Sequence, residues 1–238
     1  MDLKVNKILL YTAWYPEHEK SLKYTFVSQQ AKIFEDFIRH AQPECKIVVW
    51  HDEKPIDLPS LIKGQREKFN VWYDESVKVY NTKGLVITHR VNSTSSILLN
   101  RMRVRAFQSI CDDLGGLPDC VWTVTLSAAM NWKVFTDKQK LQIPFFLQEH
   151  SNPLTMHLKN SRSRWLAKNL IDSLSRVVVV AHRQLEEVAT HIGDVETEVV
   201  WNPVDPCFLK EPTASSDPNV MLFVGRLSEQ KGLRMHIK

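Results

Sequence analysis

The 238-residue sequence contains no apolar run approaching the about 20 residues that cross a bilayer. Its opening, Met1-Asp2-Leu3-Lys4, leads into a strand-like stretch and not into the apolar core of a signal peptide, so a cytoplasmic protein is expected. Cysteine is sparse: Cys45, Cys111, Cys120 and Cys207 lie far apart with no CxxC spacing, which argues against a zinc knuckle or a disulfide framework and for reduced, mostly buried thiols. Nine histidines are present without an HExxH or similar helical pair, so a catalytic metal site is not expected; no cofactor is expected either. Charge of one sign is also scarce. The net charge of +4 suits anionic substrates or a lipid surface and falls short of a nucleic-acid footprint. Internal repeats and low-complexity tracts are lacking.

At 43% hydrophobic and 24% charged residues, the composition is that of a chain with a packed core. Short β-rich apolar runs alternate with amphipathic stretches, as βαβ units around a parallel sheet require. Strands are predicted at Val5 to Ala13, Cys45 to Trp50, Leu85 to Thr88, Cys120 to Val124, Pro144 to Gln148, Arg176 to Val180 and Glu198 to Trp201. Helices are predicted from Phe26 to Ile38, after the capping cluster Asn92 to Ser95 and ending at Gly115-Gly116, and over Ala128 to Lys140, Met156 to Leu174 and Arg183 to Ile192. Between them, His51 to Tyr73 has no clean period and reads as a connecting excursion.

The expected fold is therefore α/β: a Rossmann-like, doubly wound, mainly parallel sheet with helices on both faces, spanning residues 1–204. Asn202-Pro203-Val204-Asp205-Pro206 is a rigid turn, and a polar linker containing Pro212 to Pro218 closes the stretch 205–218. Residues 219–238 then supply one strand, Val220 to Val224, and a turn from Gly225 to Gly232. This is expected to be the first strand of a second, truncated Rossmann-like domain, because one βαβ unit alone needs about 30 residues.

The segment Phe223-Val224-Gly225-Arg226-Leu227-Ser228-Glu229-Gln230-Lys231-Gly232 runs from a strand through glycine into a basic loop at a helix start. Unpaired N–H groups, the positive end of a helix dipole and two cations would together hold a diphosphate. The plainer reading is a strand-turn-helix with solvated basic residues. His150 closes an apolar strand at its carboxyl end, where open α/β sheets bind ligands, and reads either as a ligand contact or as a satisfied structural histidine. Glu149 either orients it or caps the next helix. Lys159, Arg162, Arg164, Trp165 and Lys168 on one expected helix, with Arg101, Arg103 and Arg105 on another, are either anionic-lipid contacts or solvated helix faces.

The string Gly225-Arg226-Leu227 with Lys231-Gly232 resembles the G-R-L-x-x-x-K-G segment of family 4 glycosyltransferases, which place two Rossmann-like domains across a cleft in the GT-B fold. Trp14-Tyr15-Pro16 with Phe26 to Ala31, Pro144 to Ser151, and Asn202 to Asp205 with Phe208 are similar to further segments of that family in the same order. The resemblance implies a retaining, metal-independent transfer of a sugar from a nucleotide-sugar donor to a saccharide or lipid-linked acceptor. It gives Gly225, Arg226 and Lys231 to the donor diphosphate, His150 a catalytic place in contact with the transferred sugar or its phosphate, and Glu149, Ser151 and Asn202 to acceptor binding or orientation. A peripheral position on the inner face of a membrane would suit a lipid-linked acceptor.

Two departures stand out: Pro16 to Thr25 has no glycine where the family carries it, and the family's E-x7-E pair would fall beyond Lys238. A chain ending there is expected to be inactive by itself. The reading from another class is a non-catalytic Rossmann-like module that binds glycans, phosphates or a protein.

Overall fold

The computed structural model describes residues 5–17, 25–53, 68–83, 93–151 and 153–204, with the side chains of Lys68 and of 93–99 left aside. The chain divides into two units, Met1–Asn202 and Pro203–Lys238, and the description concerns the first. In order it holds β1 (Lys7–Thr12), α1 (Thr25–Ala41), β2 (Lys46–Asp52), β3 (Lys68–Asp74), β4 (Val77–Lys83), α2 (Ser93–Leu114), β5 (Cys120–Val124) and α3 (Leu126–Gln139). There follow β6 (Phe145–Glu149), a 3-10 turn (Leu154–His157), α4 (Ser161–Lys168), β7 (Leu174–Val179), α5 (Arg183–His191) and β8 (Thr197–Val199).

The strands form one sheet in the order β3-β4-β2-β1-β5-β6-β7-β8, parallel throughout except for β3 against β4. This is an α/β, Rossmann-like sheet, and its order reverses direction between β1 and β5. Alternation sends successive side chains to opposite faces. Leu9, Tyr11, Val48, Trp50, Tyr80, Val121 and Leu147 pack on one face with Ile110, Trp132, Phe135 and Val188 of α2, α3 and α5. Leu10, Val49, Val79, Trp122 and Val124 pack on the other with Val27 and Ala31 of α1. Because both faces are covered, the central strands are buried along nearly their whole length. Trp50 is the hub of the larger cluster, 5.0 Å from Tyr11, 5.5 Å from Phe135 and 6.2 Å from Phe107 between ring centroids.

Four sequence expectations need correction. The excursion drawn through Tyr73 contains β3, which pairs with β4 in an antiparallel hairpin from Lys68↔Lys83 to Asp74↔Val77 and turns at Glu75, whose φ is 56°. Its alternation in Phe69-Asn70-Val71-Trp72-Tyr73 was diluted by the aperiodic residues before it. The helix expected from Met156 to Leu174 is a 3-10 turn and the short α4, since Leu158 closes the turn and Asn160 begins a new helix by accepting from the Ser163 N–H at 2.8 Å. Phe37, one of the apolar residues at helical spacing in the predicted helix Phe26 to Ile38, is 65% exposed and does not join the core. Cys45, Cys111 and Cys120 are free but only half-buried. The expected strand Leu85 to Thr88, the cap Asn92, the side chains of Ile97 and Leu98, Cys207, and everything expected after residue 204 lie outside the described residues.

Arg103, grouped with Arg101 and Arg105 as a basic surface, turns inward instead. Its guanidinium lies 2.5 Å from Asp52, a carboxylate that also accepts from Tyr11 Oη at 2.6 Å and Thr82 Oγ1 at 3.0 Å. Removing one partner of such a pair strands a charge out of water. Arg103→Met should therefore lower the unfolding free energy by about 3 to 5 kcal/mol. The Asp52→Asn, Arg103→Met double variant should lose less than the single one, as read from urea denaturation of both proteins.

Candidate functional site

Parallel pairing brings the carboxyl ends of β1, β5, β6 and β7 to one edge of the sheet, with the strand order reversing between β1 and β5, the place where open α/β sheets bind ligands. Glu149, the last residue of β6, fixes this edge. It is completely buried, and its two carboxylate oxygens accept from Leu126 N–H and from Ser151 N–H, each at 2.6 Å. Leu126 opens α3, so Glu149 satisfies one of the unpaired donors at a helix N-terminus, where negative charge is favoured. The helix it caps follows the neighbouring strand β5.

Thr125, the cap residue itself, holds φ at 82°, a value unusual for a β-branched residue, and accepts from Ala128 N–H at 3.4 Å. Its own N–H donates to Gln148 O at 2.9 Å. The backbone is thus strained where β5 enters α3, and hydrogen bonds to β6 and from α3 hold it in place.

The pivot at Glu149 leads directly into His150. That imidazole lies 5.1 Å from the Phe26 ring, edge to face, and neither ring nitrogen has a hydrogen-bond partner among the described residues. Burial pushes its pKa down to about 4, and a polar contact with the Asn202 side chain, too loose to count as a hydrogen bond of normal geometry, works against that shift. Near neutral pH it is a neutral ring that offers one donor and one acceptor. Asn202 in turn accepts from Gln30 Nε2 at 2.9 Å, while Gln30 Oε1 is buried without a partner. Ser151, also buried, has its hydroxyl 2.7 Å from His157 Nε2. His157 lies 6.2 Å from the Trp14 ring, and burial lowers its pKa.

Of the residues expected from sequence, Glu149, His150, Ser151 and Asn202 come together, and the adjoining Phe26, Gln30 and His157 were not singled out. Gln184 was also missed: fully buried at the start of α5, it accepts from Val180 and Ala181 N–H at 2.9 and 3.0 Å and donates to Ser151 O at 3.0 Å. A lone glutamine on an amphipathic helix carries no sequence signal for such a role. Lys159, Arg162, Arg164, Trp165 and Lys168 are all exposed, Trp165 by 63%. Gly225, Arg226 and Lys231 lie outside the described residues. Among the described residues, no three His, Cys, Asp or Glu side chains converge to hold a metal ion.

No protein-family model and no curated protein matches the sequence. The backbone is similar to that of a sucrose-phosphate synthase from Thermosynechococcus elongatus, with a TM-score of 0.50 and 10% identity over 82% of this chain and 47% of that one. A second structure of a sucrose-phosphate synthase from that organism gives 0.47 at 10% identity over 84% and 89% of the two chains. A UDP-glucose: anthocyanidin 3-O-glucosyltransferase in complex with UDP gives 0.45 at 11% identity over 92% and 56%. At such identities the likeness is one of fold, and this chain spans about half the length of the first and third of these proteins.

Burial of neutral His150 has a consequence for stability. Its folded pKa, about 4, lies below the ordinary 6.5, so between these values the unfolded chain binds the proton more readily and stability falls as pH falls. At 1.36 kcal/mol per pKa unit, this contribution is at most about 3 kcal/mol. His150→Gln should remove up to that amount of the stability lost between about pH 6.5 and pH 4, measured by urea unfolding at several pH values.

Proposed function

We propose that the chain is the N-terminal, acceptor-binding part of a retaining, metal-independent glycosyltransferase that moves a sugar from a nucleotide-sugar donor to a saccharide or lipid-linked acceptor. In this reading residues 1–204 bind the acceptor, 205–218 link, and 219–238 begin the donor-binding domain. The observation that carries it is His150: a buried, neutral imidazole with no hydrogen bond of normal geometry on either nitrogen and only a looser polar contact with Asn202, at the carboxyl end of β6. Such a ring can donate to one sugar oxygen and accept from another hydroxyl. Glu149 sets its position through the backbone, and Ser151 and Asn202 flank it. The resemblance of the Gly225 to Gly232 segment to a diphosphate-binding loop adds independent support.

Bond breaking in this transfer puts charge on the departing nucleoside diphosphate, and Arg226 and Lys231 are assigned to meet that charge. Losing one such contact costs on the order of 2 to 4 kcal/mol in the transition state. Arg226→Ala and Lys231→Ala in the full-length protein should each lower kcat/KM by about 30- to 1000-fold, with circular dichroism showing that both remain folded. Retention of activity within about threefold by both variants would refute the diphosphate assignment.

No described helix is long and apolar enough to cross a membrane. The exposed Trp165 and Met156, flanked by Lys159, Arg162, Arg164 and Lys168, are suited to a peripheral contact with an anionic bilayer. The protein should co-sediment with anionic liposomes more than with neutral ones, and added salt should weaken the difference. Equal sedimentation with both would remove the membrane from the reading.

A further inference from the structure

One edge of the sheet and the helix beside it form a surface that the His150 site does not use. β3 pairs with β4 along one side, and among the described residues nothing pairs with its other side. Its seven residues run without a bulge and include neither proline nor glycine. Such interruptions ordinarily protect edge strands, whose unpaired N–H and C=O groups are a template for a further strand. Alternation puts Phe69, Val71 and Tyr73 on the face that α2 covers. Phe69 packs against the core, whereas Val71 is 42% and Tyr73 57% exposed.

α2 supplies the second half of the surface. A groove of about 440 Å³ runs along its outer side, lined by Asn100, Arg101, Val104, Arg105, Gln108 and Ser109. Two contacts place it alongside β3. The Arg105 guanidinium lies 5.8 Å from the centre of the Phe69 ring, and Ser109 O accepts at 3.3 Å from the hydroxyl of Tyr80, the residue paired with Val71. Arg101, Val104, Arg105 and Gln108 are all exposed, so this lining is open to a partner. It carries two cations and no anion. Among the described residues Arg101 and Arg105 form no ion pair, in contrast to Arg103 with Asp52 and Lys78 with Asp113.

These features select the occupant. An open run of backbone donors and acceptors is matched along its length by another polypeptide backbone, and not by a lipid, a phosphate or a nucleic acid. Apolar side chains at every second position of such a segment would cover Val71 and Tyr73. Carboxylates answer the two guanidiniums, whose forked N–H groups fit them in pairs. The same cations disfavour a second copy of this chain. Antiparallel pairing of β3 with its own copy would bring Arg101 and Arg105 of both copies to one face, cation towards cation.

We propose that β3 and the α2 groove dock an extended acidic segment of a partner protein, which adds to the eight-stranded sheet as a further edge strand. Its acidic residues meet Arg105 beside Phe69 and Arg101 one turn earlier on α2, and apolar residues at every second position beyond them cover Val71 and Tyr73. This docking needs neither a sugar donor nor an acceptor, and does not depend on the transfer reading.

The test is selection of a random dodecapeptide phage library on the immobilised full chain, followed by fluorescence anisotropy with a synthetic peptide of the enriched sequence. Enriched sequences should carry Asp or Glu followed or preceded by apolar residues two positions apart. Arg101→Glu with Arg105→Glu should weaken binding of the peptide by about tenfold or more. The same peptide with its acidic residues changed to Lys should regain affinity for that reversed protein. Val71→Ser with Tyr73→Ser, at exposed positions where circular dichroism should show an intact fold, should also weaken binding. Alternate β3 amides should become protected from hydrogen exchange when the peptide binds. Absence of enrichment, enriched sequences without acidic residues, or binding that survives the charge reversal would overturn the proposal. So would a dimer in sedimentation equilibrium that Val71→Ser with Tyr73→Ser dissolves, because a second copy would then hold the edge.

Discussion

A single buried carboxylate fixes the working edge of this sheet. Glu149 sits at the end of β6 with no contact to water and spends one oxygen on the first N–H of α3 and the other on Ser151 N–H. A carboxylate deprived of solvent must be fully hydrogen-bonded, so neither the start of α3 nor the turn after β6 can shift without a large loss. That anchoring stabilises the left-handed backbone of Thr125 and brings His150 against Phe26. Gln184 adds a third strand end by tying the turn after β7 to Ser151.

The opposite face of the sheet is held in a different manner. Trp50, Tyr11, Trp132, Phe107 and Phe135 form a close aromatic cluster under α2 and α3, and the Asp52 to Arg103 pair lies beside it. Offset and edge-to-face contacts between rings add to the burial of their apolar area. The pair also locates α2, because the Arg103 side chain must reach Asp52 at the carboxyl end of β2. On this face the Asp52 carboxylate is fully paired, while Arg103 Nε and Trp132 Nε1 are buried without a partner. On the α1 face, Thr12, His51, Asn81 and Asn70 align across β1, β2, β4 and β3, and the last three have donors or acceptors left over.

Most of the fold was legible in the sequence. Runs such as Cys120 to Val124 and Pro144 to Gln148 are apolar throughout because both faces of a central strand are covered, and that pattern survives without any tertiary knowledge. The edge hairpin was harder to read. β3 is half solvated and antiparallel, with Val71 and Tyr73 exposed, so its apolar residues do not form a continuous run. The break between the 3-10 turn and α4 was hidden because Leu158 and Ala167 are both core residues, and a helical period can be drawn through them. His150 was legible from its place at a strand end, whereas Gln30, His157 and Gln184 were not, since a polar residue's partners depend on distant parts of the chain.

By itself the sequence determined the α/β class, the order of most strands and helices, and the strand end at which His150 stands, because hydrophobic period and turn chemistry are local properties. Tertiary structure decided the rest. Arg103 became a buried counter-ion and not a surface charge, Glu149 a cap for the helix of a neighbouring strand, and Asn81 an unpaired amide in a row across four strands. Each outcome depends on which strands lie side by side, and strand adjacency is set by long-range pairing and burial that no local window of residues contains.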